Sequence, residues 1–269
     1  MGGVVVDDAG GAGVPVVCLP MLGMSRVATA LALAPALAGG SSLREVYVDL
    51  PGHGDAPGEG AATSQAMLGS VCDWLERHLD RPALLAGGSY GAYLAAGIAR
   101  QRPELVGGLL LVCPGVRVGL HERDLPDQDP PVAEPGWLAA APVGLHGHLD
   151  RALGHRTSTV VAAVLHALTA GGPGDEAYQD ALTDGPGYAL CDQDDEVVFP
   201  GPVTVLAGRN DRIVGFADQF RMLRAYPRGT YSVFDAAGHY LPWEQPELFR
   251  TSTQDWLRRC GTGRGHLTL

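Results

Sequence analysis

The chain has 269 residues, 46% hydrophobic and 18% charged, enough for one substantial core, with no apolar run near the roughly 18 residues that cross a bilayer. A net charge of −11 without any basic stripe excludes nucleic acid as a partner, because phosphate binding needs clustered cations. All 19 basic residues are arginine, which removes a lysine Schiff base, a P-loop lysine and a Ser-Lys dyad.

In chain order, residues 4–6 and 14–19 read as a strand pair around a Gly-rich turn, followed by a helix over 26–37 that Pro35 kinks or ends. Residues 45–50 form the next strand, and 64–79 a helix with Thr63 or Ser64 as its N-cap. The apolar run 83–86 then gives way to a helix over 90–100. Residues 106–113 are almost uniformly aliphatic, as in a strand buried on both faces of a parallel sheet.

Between about 115 and 199 the alternation stops. A proline-rich stretch over 125–135 is followed by helix-like pieces near 138–153, 157–170 and 175–182, a pattern that reads as a lid inserted between two sheet strands. Alternation resumes with a strand at 203–207, a helix at 216–225, a strand at 231–234 and a closing helix at 247–259. The expected organisation is a core of 1–115 and 200–262, a helical cap over 116–199 and a flexible tail at 263–269.

The five cysteines, Cys18, Cys72, Cys113, Cys191 and Cys260, are scattered and contain no CxxC pair, which points to reduced thiols rather than a disulfide framework or a zinc site. The N-terminal MGGVVVDDAGG lacks the basic and apolar regions of an export signal. These features predict a soluble cytoplasmic protein with no membrane partner. Oligomeric state is not encoded in any pattern we recognise.

Chemistry concentrates at Gly87-Gly88-Ser89-Tyr90-Gly91, where the predicted strand meets the predicted helix. A serine hydroxyl is a poor nucleophile, so it must be exposed on a sharp turn beside a base and near backbone N–H donors; strand, GxSxG and helix together provide that turn. Asp211 follows the strand at 203–207 and His239 follows that at 231–234, so all three groups fall beyond the carboxyl ends of predicted parallel strands, in the order Ser, Asp, His. Asp235 competes with Asp211 for the carboxylate role. Asp49 and His53, in DLPGHG, read as a structural turn. His146, His148 and Asp150 do not read as a metal cluster, since helix positions two apart face different ways, and no cofactor is predicted.

The segments LPMLGMS (19–25), VDLPGHGDA (48–56), GGSYGA (87–92), AGRNDRIV (207–214) and AAGHYLPWEQPE (236–247) resemble the α/β-hydrolase superfamily over almost all of the chain outside the lid. The resemblance implies a mostly parallel central sheet flanked by helices, with a helical cap or lid inserted after the sixth core strand. It implies Ser89 as nucleophile, His239 as base and Asp211 as its carboxylate partner. It further implies an oxyanion hole from the backbone N–H groups of Leu22 and Tyr90, although this chain has Pro20-Met21 where many relatives have His-Gly.

The implied activity is a serine hydrolase acting on an ester, lactone or thioester of a small molecule through an acyl-enzyme. Alternatives stay open: the same triad used for C–C bond hydrolysis or a lyase-type elimination, a proline-iminopeptidase-like amidase served by Glu122, Asp124, Asp127 and Asp129, or a non-catalytic ligand-binding relative. Haloalkane dehalogenases and epoxide hydrolases are set aside because they need an aspartate at position 89.

Overall fold

Residues 16–19 have no solvent face: Val17 and Leu19 enter one hydrophobic cluster, Val16 and Cys18 another, and all four are fully buried. That two-residue period is what a strand covered on both sides requires. The computed structural model describes residues 3–38 and 43–262. Its elements begin with β1 (Val5–Asp8), β2 (Val14–Leu19), α1 (Arg26–Leu37), β3 (Leu43–Asp49), α2 (Ser64–His78), β4 (Ala83–Gly88), α3 (Tyr90–Gln101) and β5 (Val106–Val112). An insertion carries β6 (Val132–Ala133), α4 (His146–Ala152), β7 (His155–Arg156), α5 (Ser158–Thr169) and α6 (Glu176–Asp184). The chain then returns through β8 (Val203–Gly208), β9 (Gly229–Phe234), α7 (Leu241–Glu244) and α8 (Pro246–Arg259).

Seven strands form one sheet in the order β1-β3-β2-β4-β5-β8-β9, parallel except for β1. One face is covered by α2 and α3, the other by α1 and α8. Helix α8 shows why it docks: Phe249, Thr253, Trp256 and Leu257, at i, i+4, i+7 and i+8, are its buried residues. Among the described residues no helix is long and apolar enough to cross a membrane.

Several local expectations change. The first two strands are not a pair: β1 runs antiparallel to β3, with Val5 opposite Asp49, because both edges of β2 are taken by β3 and β4. Helix α1 has the expected bounds, 26–37, with Pro35 inside it, so the proline does not end the helix. Residues 218–224 wind as a 3-10 helix whose first turn is held by one tertiary bond, Asp218 accepting the Asp124 N–H (2.9 Å), and one local bond, Gln219 donating to the Gly215 carbonyl (2.7 Å). The insertion leaves the sheet after the fifth strand rather than the sixth, since among the described residues β1 to β5 are the strands that precede it. The tail expected at 263–269 lies outside the described residues.

The insertion is also part of the core. Tyr178, Leu182 and Leu190 pack into the same cluster as α2 and α3, and Tyr93 on α3 accepts the Leu190 N–H through its hydroxyl at 2.6 Å. The turn at 49–55 is structural, as its sequence implies. Fully buried Asp49 accepts the backbone N–H of Asp55 at 2.9 Å and pairs with Arg26.

Candidate active site

The turn between β4 and α3 is possible only because two glycines have no side chain. A Cβ on Gly87 would lie 2.5 Å from the Gly91 carbonyl carbon, and one on Gly91 would lie 2.5 Å from the Pro20 carbonyl oxygen, both well inside contact distance. Between them Ser89 adopts φ +50° and ψ −112°, a conformation that costs a non-glycine residue about 1–3 kcal/mol. Its N–H is fixed to the Val112 carbonyl of the neighbouring strand at 2.8 Å. The backbone thus holds the hydroxyl at the sheet edge.

Asp211 and His239 reach the same place from the ends of β8 and β9. His239 Nε2 lies 2.9 Å from Ser89 Oγ, and its Nδ1 lies 2.8 Å from Asp211 Oδ2. A carboxylate can only accept, so Nδ1 carries the proton and Nε2 of the neutral ring is left to accept from the serine. The other oxygen of Asp211 accepts the N–H groups of Ile213 (2.8 Å) and Val214 (3.0 Å), and its side chain is fully buried. Asp235 is exposed and is not brought to the histidine. A hydroxyl joined to an imidazole that a carboxylate orients is the arrangement from which serine becomes a nucleophile.

One group that holds this histidine is not evident from sequence alone. Glu244, on α7, accepts the Gly238 N–H through one oxygen (2.9 Å) and the N–H groups of Gly154 (2.6 Å) and His155 (2.8 Å) through the other. It therefore clips the His239 loop to the insertion, and the His239 N–H adds a bond to the Ala152 carbonyl at 2.6 Å. Burial pushes the Glu244 carboxyl up from its ordinary 4.5 to about 7, against the opposing effect of the three N–H donors. Between those values the unfolded chain has released a proton that the native protein keeps, so stability falls as pH rises across this window and levels above it. Glu244→Gln should remove that slope. Its NH₂ must also face an N–H donor, lowering stability by about 1–3 kcal/mol. Urea unfolding of both proteins at about pH 5 and about pH 7.5 reads both effects, and an unchanged slope in the variant would contradict the assignment.

Ser89 and His239 open into a cavity of about 250 Å³. Leu22 and Tyr90 both line it. Tyr90 is the first residue of α3, so its N–H has no acceptor within the helix, and Leu22 lies inside the turn closed by the Met24 N–H on the Met21 carbonyl (3.0 Å). Both positions suit donors to a developing oxyanion. Tyr90 is fixed through its ring, stacked on Tyr188 with centroids 5.5 Å apart, and through its hydroxyl, 2.8 Å from Ser64 Oγ.

Of the residues of the insertion singled out in the sequence, His148 lines the cavity and shares a 2.8 Å hydrogen bond with the Tyr240 hydroxyl. Burial, with help from His239 and Arg151, pushes its pKa down, which favours the neutral ring. His146 faces the Ala141 carbonyl at 3.0 Å and Asp150 pairs with Arg156 at 2.9 Å, which leaves no cluster there to bind a metal. Trp137, Leu138 and Leu145 pack against the core of the insertion. Glu122, Asp124, Asp127 and Asp129 do not line the cavity. Cys113, Asp211 and His239 do lie close together, but both oxygens of Asp211 are taken and burial raises the Cys113 thiol, which keeps it protonated and a poor metal ligand.

A mostly parallel sheet with a serine elbow, a strand-end aspartate and a following histidine defines a class, and comparison with known proteins identifies it. Residues 16–251 match the model of the alpha/beta hydrolase family, and the chain belongs to that family. It is similar to pimeloyl-[acyl-carrier protein] methyl ester esterase of Methylococcus capsulatus, 34% identical over 107 residues. That match covers 40% of this chain and only 35% of the relative. It is 25% identical over 231 residues to 2-hydroxy-6-oxononadienedioate/2-hydroxy-6-oxononatrienedioate hydrolase of Burkholderia vietnamiensis, covering 80% of this chain and 77% of that one. An alpha/beta superfamily hydrolase from Oenococcus oeni shares the fold with a TM-score of 0.83 at 22% identity, over 96% of each chain.

Proposed function

We propose that the protein cleaves an ester, lactone or thioester of a small molecule through an acyl-enzyme on Ser89. The observation that carries this reading is the unbroken run of contacts from Ser89 Oγ to His239 Nε2 (2.9 Å) and from His239 Nδ1 to Asp211 (2.8 Å) at the cavity wall. Ser89 attacks the carbonyl carbon while its proton passes to His239, and Asp211 stabilises the imidazolium that forms. The N–H groups of Leu22 and Tyr90 receive the oxyanion. Collapse expels the leaving group, which takes the proton from His239. Water then gives a proton to the same ring and attacks the acyl carbon, releasing the acid and restoring Ser89.

Residues 116–199 form the lid of this site, contributing Arg117, Arg123, His148 and Tyr188 to the cavity wall, while 1–115 and 200–262 form the core. The cavity is small by the standard of ligand sites, which fits a small substrate. A second reading, hydrolysis of a C–C bond by the same groups, is favoured by the long alignment with the Burkholderia vietnamiensis hydrolase. The amidase reading loses support, because a substrate amine would find no carboxylate among the lining side chains.

A panel of p-nitrophenyl esters, lactones, acyl thioesters, aminoacyl amides and an oxo-dienoate, assayed with wild type and Ser89→Ala, tests the reading. Serine-dependent turnover of an ester, lactone or thioester is expected. Turnover confined to the oxo-dienoate would favour the second reading, and turnover confined to the amides would reverse the argument from charge.

A further inference from the structure

In a chain carrying 30 acidic and 19 basic residues, the cavity beside Ser89 is lined by two arginines, Arg117 and Arg123, and by no aspartate or glutamate. Among the described residues neither arginine has a carboxylate partner. Arg123 donates only to backbone carbonyls, those of Arg117 (2.9 Å), Val118 (3.0 Å) and Ile213 (2.7 Å). These three bonds orient the guanidinium and leave two of its five N–H groups without a partner among the described residues. Arg117 makes no side-chain hydrogen bond or ion pair among the described residues, although it is half-buried.

The adjoining groove supplies the contrast. Arg100 there pairs with Asp192 at 3.2 Å, as guanidinium groups commonly do, while Asp194, Asp195 and Glu196 in the same groove do not come within ion-pair distance of Arg117. Arg117 lines both spaces, so it stands where the cavity meets the groove. A half-buried cation without a counterion is costly, and a guanidinium held by neutral carbonyls keeps its full charge for a ligand.

We infer that the substrate of this site carries a free carboxylate besides the bond that is cleaved, and that Arg117 and Arg123 bind it. The inference rests on the hydrolase reading for the identity of the cleaved bond, but the charge preference stands on the two arginines. The recognised class is the monoester or monothioester of a short diacid, with one end at Ser89 and the anionic end at the guanidinium pair. A fork of N–H donors matches the two oxygens of a carboxylate, which fixes the acyl chain as well as attracting it.

The test compares monomethyl glutarate with dimethyl glutarate, which differ in one charge. In the wild type kcat/KM for the monoanion should exceed that for the neutral diester, and Arg117→Gln should lower the ratio of the two by about tenfold to a hundredfold, the range of a charged hydrogen bond. Arg117→Lys, which keeps the charge, should restore part of the ratio. Binding of both compounds to Ser89→Ala and to Ser89→Ala/Arg117→Gln, measured by calorimetry, gives the same comparison without turnover. A tighter monoanion in the first protein and not in the second supports the inference. Turnover of the neutral ester with no preference for the anion, or equal affinity of Ser89→Ala for both, overturns it while leaving the hydrolase reading in place. Preferential binding of the anion with no serine-dependent turnover anywhere in the panel would keep the anion site and remove the hydrolase reading.

Discussion

Ser89→Ala is expected to lower kcat on any accepted ester by about 10⁴-fold or more, with the fold retained. The expectation follows from what the hydroxyl does and what its removal leaves. Without Oγ there is no acyl-enzyme, and His239 has only water to activate. The N–H groups proposed for the oxyanion, at Leu22 and Tyr90, and the cavity wall remain, so the residual rate expected is what oxyanion stabilisation and binding alone provide. Alanine also relieves nothing in the backbone, because it carries the same Cβ as serine at a position whose φ is +50°. A circular dichroism spectrum and melting temperature near those of the wild type, together with the lost turnover, would separate chemistry from folding. Turnover near the wild-type rate would mean that another group forms the covalent bond or that none is formed.

Asp211→Asn should be nearly as severe, a loss of about 10⁴-fold, whereas Asp235→Asn should be close to silent. An asparagine at 211 offers either an oxygen or an NH₂ to His239. If its oxygen stays on the Ile213 and Val214 N–H groups, now 2.8 and 3.0 Å from Oδ1, the NH₂ faces Nδ1 and forces the proton onto Nε2. The ring then donates toward Ser89 and accepts no proton from it. Asp235 has no such contact and is exposed. Steady-state kinetics on the two variants decide the point, and a reversed pair of results would move the carboxylate role to Asp235.

Which parts were legible in the sequence follows from how local their causes are. The serine turn is written into five consecutive residues, since Gly87 and Gly91 are required by contacts of the turn itself and of the adjacent 19–20 segment. Asp211 and His239 follow short apolar runs, and a parallel sheet brings all such strand ends to one edge. The partner of β1 was not legible, because a Gly-rich turn of residues 9–13 looks the same whether the chain folds back on itself or crosses to another strand.

Glu244 and the arginines were hidden for a related reason. The donors to Glu244 come from residues 154, 155 and 238, and the carbonyls that hold Arg123 include Ile213, far along the chain. A glutamate in WEQPE reads as a helix-start residue, and an arginine in an acidic loop reads as solvated. Only the fold shows that one binds three amides and the other lacks a counterion. The insertion had the weakest pattern and proved to be bonded into both the core and the histidine loop.

The most direct test of the central claim is covalent capture of the serine. An ordinary hydroxyl ignores a fluorophosphonate, while one that can pass its proton to His239 attacks phosphorus and places the new oxyanion on waiting N–H donors. The account predicts a single adduct in intact-protein mass spectrometry, located on the peptide containing Ser89 and absent from Ser89→Ala and His239→Ala. Folded wild-type protein that takes up no label at Ser89 would contradict it.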